Sequence, residues 1–220
     1  MHIIEGFLPP VWAVVWTVVA APVVVYGARR TLALIRVDAR TKALVAVAAA
    51  FVFVLSALKL PSVAGSSAHP TGTGVLVVLF GPAVTAFVSV IVLLYQAVLL
   101  AHGGITTLGA NVAAMGIVGP FVGWTVYRAA RPVGSVQQAT FLAAAVTDWT
   151  TYLVTSVQLG LAFPAGGDPA GVAAAALEFA AVFSLTQLPI GLLEGALAAA
   201  LVGYLLRLET GAADRLGVAA

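Results

Sequence analysis

The densest set of metal donors in this chain lies in its first two residues. The terminal amine of Met1, the backbone nitrogen of His2 and the His2 imidazole can close on one divalent ion as fused chelate rings, a geometry suited to nickel, copper or cobalt. The chain holds three histidines, His2, His69 and His102, and no cysteine. Disulfides and thiolate sites are therefore excluded, and a metal would be held by nitrogen or oxygen. His69 can bring a fourth nitrogen, and four nitrogens in a plane suit Ni(II), Cu(II) and some Co(II) sites. The competing reading makes His2 a loose terminal residue and His69 a loop histidine before a proline, because two histidines so far apart form no local metal motif.

The neighbours of these histidines weigh against that plainer reading. Gly65, Gly72 and Gly74 permit backbone shapes other residues resist, and Ser66, Ser67, Thr71 and Thr73 offer hydroxyls that can orient a ligand. Ser67 and Thr73 are the candidates for that supporting role. His102 falls in a predicted tight turn, as a ligand or as a group orienting one by a hydrogen bond; the second role is preferred, since His2 and His69 already complete four donors. Asn111 either hydrogen-bonds the metal loop or caps the helix after it. Glu5 can accept a hydrogen bond from His2 or steer cations by its charge. No basic region precedes the first apolar run, so no cleaved signal peptide is expected, and Met1 is expected to be retained with its amine deformylated.

What must position these groups is a membrane bundle. Of the 220 residues, 62% are hydrophobic and 8% charged, against roughly 45–50% and about 25% in a soluble domain. The net charge of +2 and the scattered Lys and Arg exclude nucleic-acid binding. Apolar runs at about 10–27, 43–58, 75–80, 83–101, 110–127, 137–161 and 172–206 give an all-α polytopic transmembrane bundle of about seven spans, one domain over 1–220. The run from Val75 to Leu100 is divided at Gly81-Pro82, where proline removes a backbone donor. The last run would be on the order of 50 Å long as a helix, and Pro189 is expected to kink it.

Arg29, Arg30, Arg36, Arg40 and Lys42 follow the first run with only Asp38 opposing, so the positive-inside bias places that loop in the cytoplasm. The N-terminus then lies outside the cell membrane, together with His2 and His69, and the C-terminus in the cytoplasm. Nine of the ten Lys and Arg residues fall inside, with Lys59 the exception. Asp148, Glu178 and Glu194 lie within apolar runs. Such carboxylates suggest proton relays, cation paths or buried pairs, and Asp148 has Thr147, Trp149, Thr150 and Thr151 beside it to satisfy it locally.

Taken together, Met1-His2-Ile3-Ile4-Glu5-Gly6-Phe7-Leu8-Pro9, the stretch from Leu58 to Ser66, His69-Pro70-Thr71-Gly72-Thr73-Gly74, the stretch from Ala101 to Asn111 and Leu192-Leu193-Glu194-Gly195 resemble the CbiM/NikM family. These are the substrate-capture (S) components of energy-coupling factor cobalt and nickel transporters. The resemblance implies metal ligation by Met1, His2 and His69, with Co2+ as transported substrate for cobalamin supply and no prosthetic group. The His-Pro-Thr-Gly-Thr-Gly loop looks like the cobalt branch, with Ni2+ as the alternative. A cysteine and a serine common after the Gly-Ser of that branch are replaced here by Ser67 and Ala68. The resemblance also implies a CbiQ-like membrane coupling (T) subunit, CbiO-like ATPase subunits and a small two-span CbiN-like accessory protein. The chain has no Walker motif, so it is not expected to be an enzyme. A proton-coupled carrier working through Asp148, Glu178 or Glu194 is the rival from another class, and an intramembrane metalloenzyme is disfavoured because no paired-histidine helix motif with an adjacent acid is present.

Overall fold

In the computed structural model, residues 1–37, 39–62 and 65–208 are described. Asp38, Val63, Ala64 and the C-terminal stretch 209–220 lie outside them, and with them the expectation about the C-terminus. The element order is β1 (His2–Ile3), α1 (Pro10–Ile35), α2 (Ala39–Ala57), β2 (Leu60–Pro61), β3 (Ser66–Ala68), α3 (Thr73–Leu100), α4 (Leu108–Asn111), a π-helical turn (Val112–Val118), α5 (Gly119–Ala130), α6 (Val136–Ala162) and α7 (Val172–Arg207). The chain is an all-α multi-pass membrane protein with a three-stranded sheet at one end. α1, α2, α3, the continuous run Leu108–Ala130 and the run ending in α7 are long and apolar enough to cross a membrane.

These helices follow the apolar runs because in a bilayer every backbone polar group must be satisfied within its own segment, and only helices and closed barrels do that. α1 begins at Pro10, a residue suited to a first helical position, where its missing N–H is no loss. α6 begins with a capping box in which Ser135 accepts from the Gln138 backbone and Gln138 from the Ser135 backbone. α6 is also the most polar of the long helices and the most buried; Thr140, Thr147, Asp148, Thr151, Thr155 and Gln158 are at most 1% exposed. It packs between α5 and α7, so its polar residues face protein and not lipid.

The two segments expected on either side of Gly81-Pro82 are the two arms of α3. Gly81 stands at φ 80°, ψ 170°, where helical hydrogen bonding is broken. Both ends of α3 return to the histidine end of the bundle, since His69 just before it and His102 just after it lie together. A straight helix of this length would separate them by about 40 Å; the reversal at Gly81 brings them together. The first arm is preceded by an unwound stretch, His69 to Gly72, that is buried throughout. Its Gly72 lies against Val52 of α2, and Gly74 against Ala144 in the middle of α6, so the stretch dips into the bundle. Pro189 lies inside α7, which continues to Arg207 as one element.

The sheet, in the order β1-β3-β2, was not foreseen. Its antiparallel registers are His2 with Ser67, Ile3 with Ser66, Leu60 with Ala68 and Pro61 with Ser67. It folds the first residues back over the loop that carries His69.

Candidate metal centre

Met1 is held by its side chain. It is fully buried in a cluster with Ile3, Leu8, Ala110, Tyr152, Leu159 and Phe183, and burying such a side chain contributes roughly 1.5–3 kcal/mol. Ile3 is pinned next: its N–H donates to Asn111 Oδ1 at 2.8 Å, and its carbonyl accepts from Asn111 Nδ2 at 3.0 Å and Thr107 Oγ1 at 2.9 Å. His2, between these anchors, pairs with Ser67 of β3, and His69 follows two residues later.

The three histidines meet. Ring centroids are 4.2 Å apart for His2 and His69, 4.5 Å for His2 and His102, and 4.8 Å for His69 and His102. One ligand nitrogen from each lies within 4.8 Å of the others, and all three side chains are buried. His69 Nδ1 is 2.8 Å from the Pro70 carbonyl. A carbonyl only accepts, so Nδ1 carries the proton and Nε2 presents its lone pair. His102 Nε2 lies 3.1 Å from His2 Nδ1 and 2.8 Å from Ser67 Oγ. Among the described residues, His2 Nε2, His69 Nε2 and His102 Nδ1 have no hydrogen-bond partner. Buried polar atoms are rarely left unpaired, and three orphaned imidazole nitrogens in one cluster suit a metal ion.

The electrostatics favour the same chemistry. Burial pushes the Met1 amine from 8.0 down to about 6, partly offset by the carboxylates of Asp148 and Glu194. His2 and His69 are held well below the usual 6.5, mainly by burial and then by their basic neighbours. His102 is lowered to about 4 by burial, then by the nearby amine and Lys59. Near neutral pH the amine and the three imidazoles are uncharged and each has a lone pair to give, as metal binding requires.

The remaining candidates divide. Ser67 touches His102, and Asn111 holds Ile3. Thr73 is one step further out, its hydroxyl donating to Thr71 Oγ1 at 3.1 Å. Glu5 does not meet His2. It is exposed, and its carboxylate accepts from Thr106 Oγ1 at 2.6 Å and from the Thr106 backbone; these bonds hold it below the usual carboxylate value. The chain leaves the sheet after Ile3 and turns at Gly6, so Glu5 faces the 101–107 turn. Gly104 permits that approach, because a Cβ there would stand 2.5 Å from Glu5 Cα.

Asp148 is not satisfied by its neighbours on α6, since Thr147 and Thr151 donate their hydroxyls to carbonyls one turn back. Gln187 of α7 faces it instead; with its amide turned so that the nitrogen points at Asp148, that nitrogen stands 3.0 and 3.2 Å from the two carboxylate oxygens. Glu194 is fully buried against Thr71 and Gly72, whereas Glu178 is exposed. Thr107 stands out in the sequence only as a hydroxyl beside a histidine-bearing turn, whereas Thr71 is one of the hydroxyls the sequence offers near His69.

Comparison with known proteins points the same way. Residues 2–211 match the family described as CbiM, cobalt uptake substrate-specific transmembrane region. The chain is 68% identical to a CbiM protein of Haloquadratum walsbyi over the full length of both. It is 54% identical to the cobalt transport protein CbiM of Listeria seeligeri, covering 90% of this chain and 80% of that one. Among solved structures, a truncated transition metal transporter superposes with a TM-score of 0.82 at 28% identity, covering 94% of this chain and 99% of the other.

Proposed function

The chain belongs to the CbiM family, and on that premise we propose that it is the ion-capturing membrane subunit of an ATP-driven energy-coupling factor importer, with Co2+ as cargo. The observation that carries this reading is the buried cluster of three imidazoles beside the chain's first amine, with His69 Nε2 left without a hydrogen-bond partner among the described residues. Met1 contributes its amine, His2 its amide and imidazole, and His69 its Nε2. Only Nδ1 of His2 can close a six-membered ring with its own amide, because Nε2 lies across the imidazole. That Nδ1 lies 3.1 Å from His102 Nε2, and Ser67 Oγ lies 2.8 Å from the same His102 nitrogen.

The histidine end faces outward on this reading, since Arg29, Arg30, Arg128 and Arg207 sit at the other ends of their helices. With no phosphate-cradling glycine loop in the sequence, energy comes from CbiO-like ATPases through a CbiQ-like coupling subunit, with a CbiN-like accessory protein. Nickel is the second reading, favoured by the same four-nitrogen donor set; raw affinity does not separate the two ions, because nickel outranks cobalt at most nitrogen sites.

The test is uptake of radiolabelled Co2+ by cells expressing the chain with and without a coupling subunit and its ATPases, with Ni2+ as competitor. Uptake only with the partners is expected, and Co2+ as cargo requires that the label still accumulate with Ni2+ present at an equal concentration. Transport by the chain alone in ATP-depleted proteoliposomes would establish a proton-coupled carrier instead.

A further inference from the structure

Glu194 is a buried carboxylate that the ligand set does not use. It sits on α7 and accepts three hydrogen bonds from the unwound stretch before α3: from the Thr71 backbone N–H, from Thr71 Oγ1 at 2.7 Å and from the Gly72 N–H at 2.8 Å. Non-helical backbone inside a membrane bundle is tolerated only where protein satisfies it. Gly72 is the N-cap of α3 and gives no side-chain cap of its own; the carboxylate of another helix binds the N–H groups of Gly72 and of the residue before it, at the end of α3 where negative charge is favourable.

The contact reaches the metal centre by a short path. Thr71 Oγ1 donates to Glu194 and accepts from the Thr73 N–H at 3.3 Å and hydroxyl at 3.1 Å, so Thr71 is held from two sides. The preceding carbonyl, that of Pro70, accepts the proton of His69 Nδ1 and thereby sets both tautomer and ring direction. Fixing Thr71 fixes the Pro70 peptide, and the Pro70 peptide aims His69 Nε2.

We propose that Glu194 is a positioning residue for metal capture: its carboxylate on α7 holds the Thr71-Gly72 backbone and so aims His69 at the ion. This inference rests on the reading that His69 is a ligand. It follows that metal affinity is referenced to the position of α7, the long helix that, among the described residues, grips the His69 arm through a charge. Gln does not replace Glu here, because the side-chain NH2 would face N–H donors.

The experiment measures Co2+ affinity by competition titration of the full chain in nanodiscs, for wild type, H69A, E194Q and H69A/E194Q, with the Ni2+ d–d absorption band recorded at saturation. Supporting-shell changes at metal sites weaken binding by about 10–100-fold. E194Q should fall in that range, shift the d–d band and leave helical content unchanged, and the double variant should bind as H69A does, within about threefold, because the two act through one ligand. An unchanged affinity in E194Q overturns the inference, as does a loss that adds fully to that of H69A. Should E194Q fail to fold, T71V, which removes one donor and keeps the backbone, carries the test: a smaller loss that vanishes in the H69A background supports the inference, and no loss overturns it. If H69A itself binds as wild type, the ligand assignment falls and the inference with it, whereas failure of E194Q alone leaves the ligand assignment standing.

Discussion

Two arms of the chain converge on the candidate metal centre, and they are held by different means. The N-terminal arm, Met1 to Glu5, is a short strand anchored by an apolar side chain, by strand pairing and by the neutral groups of Asn111 and Thr107. The His69 arm is unwound backbone held by a buried carboxylate from a distant helix. A neutral anchorage made of many small parts fixes a position locally. A single charged grip ties its arm to whatever helix carries the charge. On the proposed ligand set, the first arm presents the chelate and the second completes it.

The largest expected effect breaks the first arm. One added residue before Met1 displaces the amine by up to about 3.5 Å, into a site where Met1 is fully buried. High-affinity Co2+ binding should be lost by about a thousandfold or more, roughly 4 kcal/mol, and retention of wild-type affinity in a competition titration would show that the amine is not a donor.

Next comes Asn111→Ala, which strands the N–H of Ile3 and takes one of the two donors to its carbonyl in a buried setting. Leaving buried groups unpaired costs about 1–3 kcal/mol, so thermal stability should drop and Co2+ affinity should weaken about tenfold. If only stability falls, the strand keeps its place without Asn111, and the other anchors suffice to hold it.

The pH dependence sharpens the comparison further. The Met1 amine is a base lowered from 8.0 to about 6 in the folded chain. Its contribution to metal-free stability is fully present above pH 8 and is lost as pH falls from 8 through 6. Above about pH 6 the ion does not have to displace a proton from the amine; below it, each pH unit should weaken binding by about a further tenfold. Isotherms from pH 5 to 8 should show that added slope in wild type. An unchanged slope across pH 6 would place the amine outside the donor set.

The smallest effect is expected at Glu5→Gln. The side chain is exposed and bonded to Thr106, so equilibrium Co2+ affinity should stay within about twofold, as for surface substitutions generally. A tenfold loss would mean that the outer turn shapes the site as strongly as the two arms do.

Much of the site's chemistry was legible before its geometry. Met1, His2 and His69 stand out by donor type in a chain without cysteine, and the break in α3 by Gly81-Pro82. His102 was legible only as a turn histidine, because its place in the cluster depends on α3 doubling back. The sheet escaped notice because strands of two or three residues carry no readable period. Asp148 reads from the sequence as satisfied on its own helix, but the threonines beside it bond their own backbone and it faces Gln187 of α7.

What the sequence determined by itself was the solvent and the donors: runs of apolar residues demand a lipid-embedded bundle, and imidazole and amine nitrogens are the donors suited to transition metals in a chain without cysteine. Only the tertiary structure decided which donors meet and what steadies them. Composition and hydrophobic runs are local quantities, whereas the contacts of His2 with His102 and of Thr71 with Glu194 span 100 and 123 residues and arise from how whole helices pack.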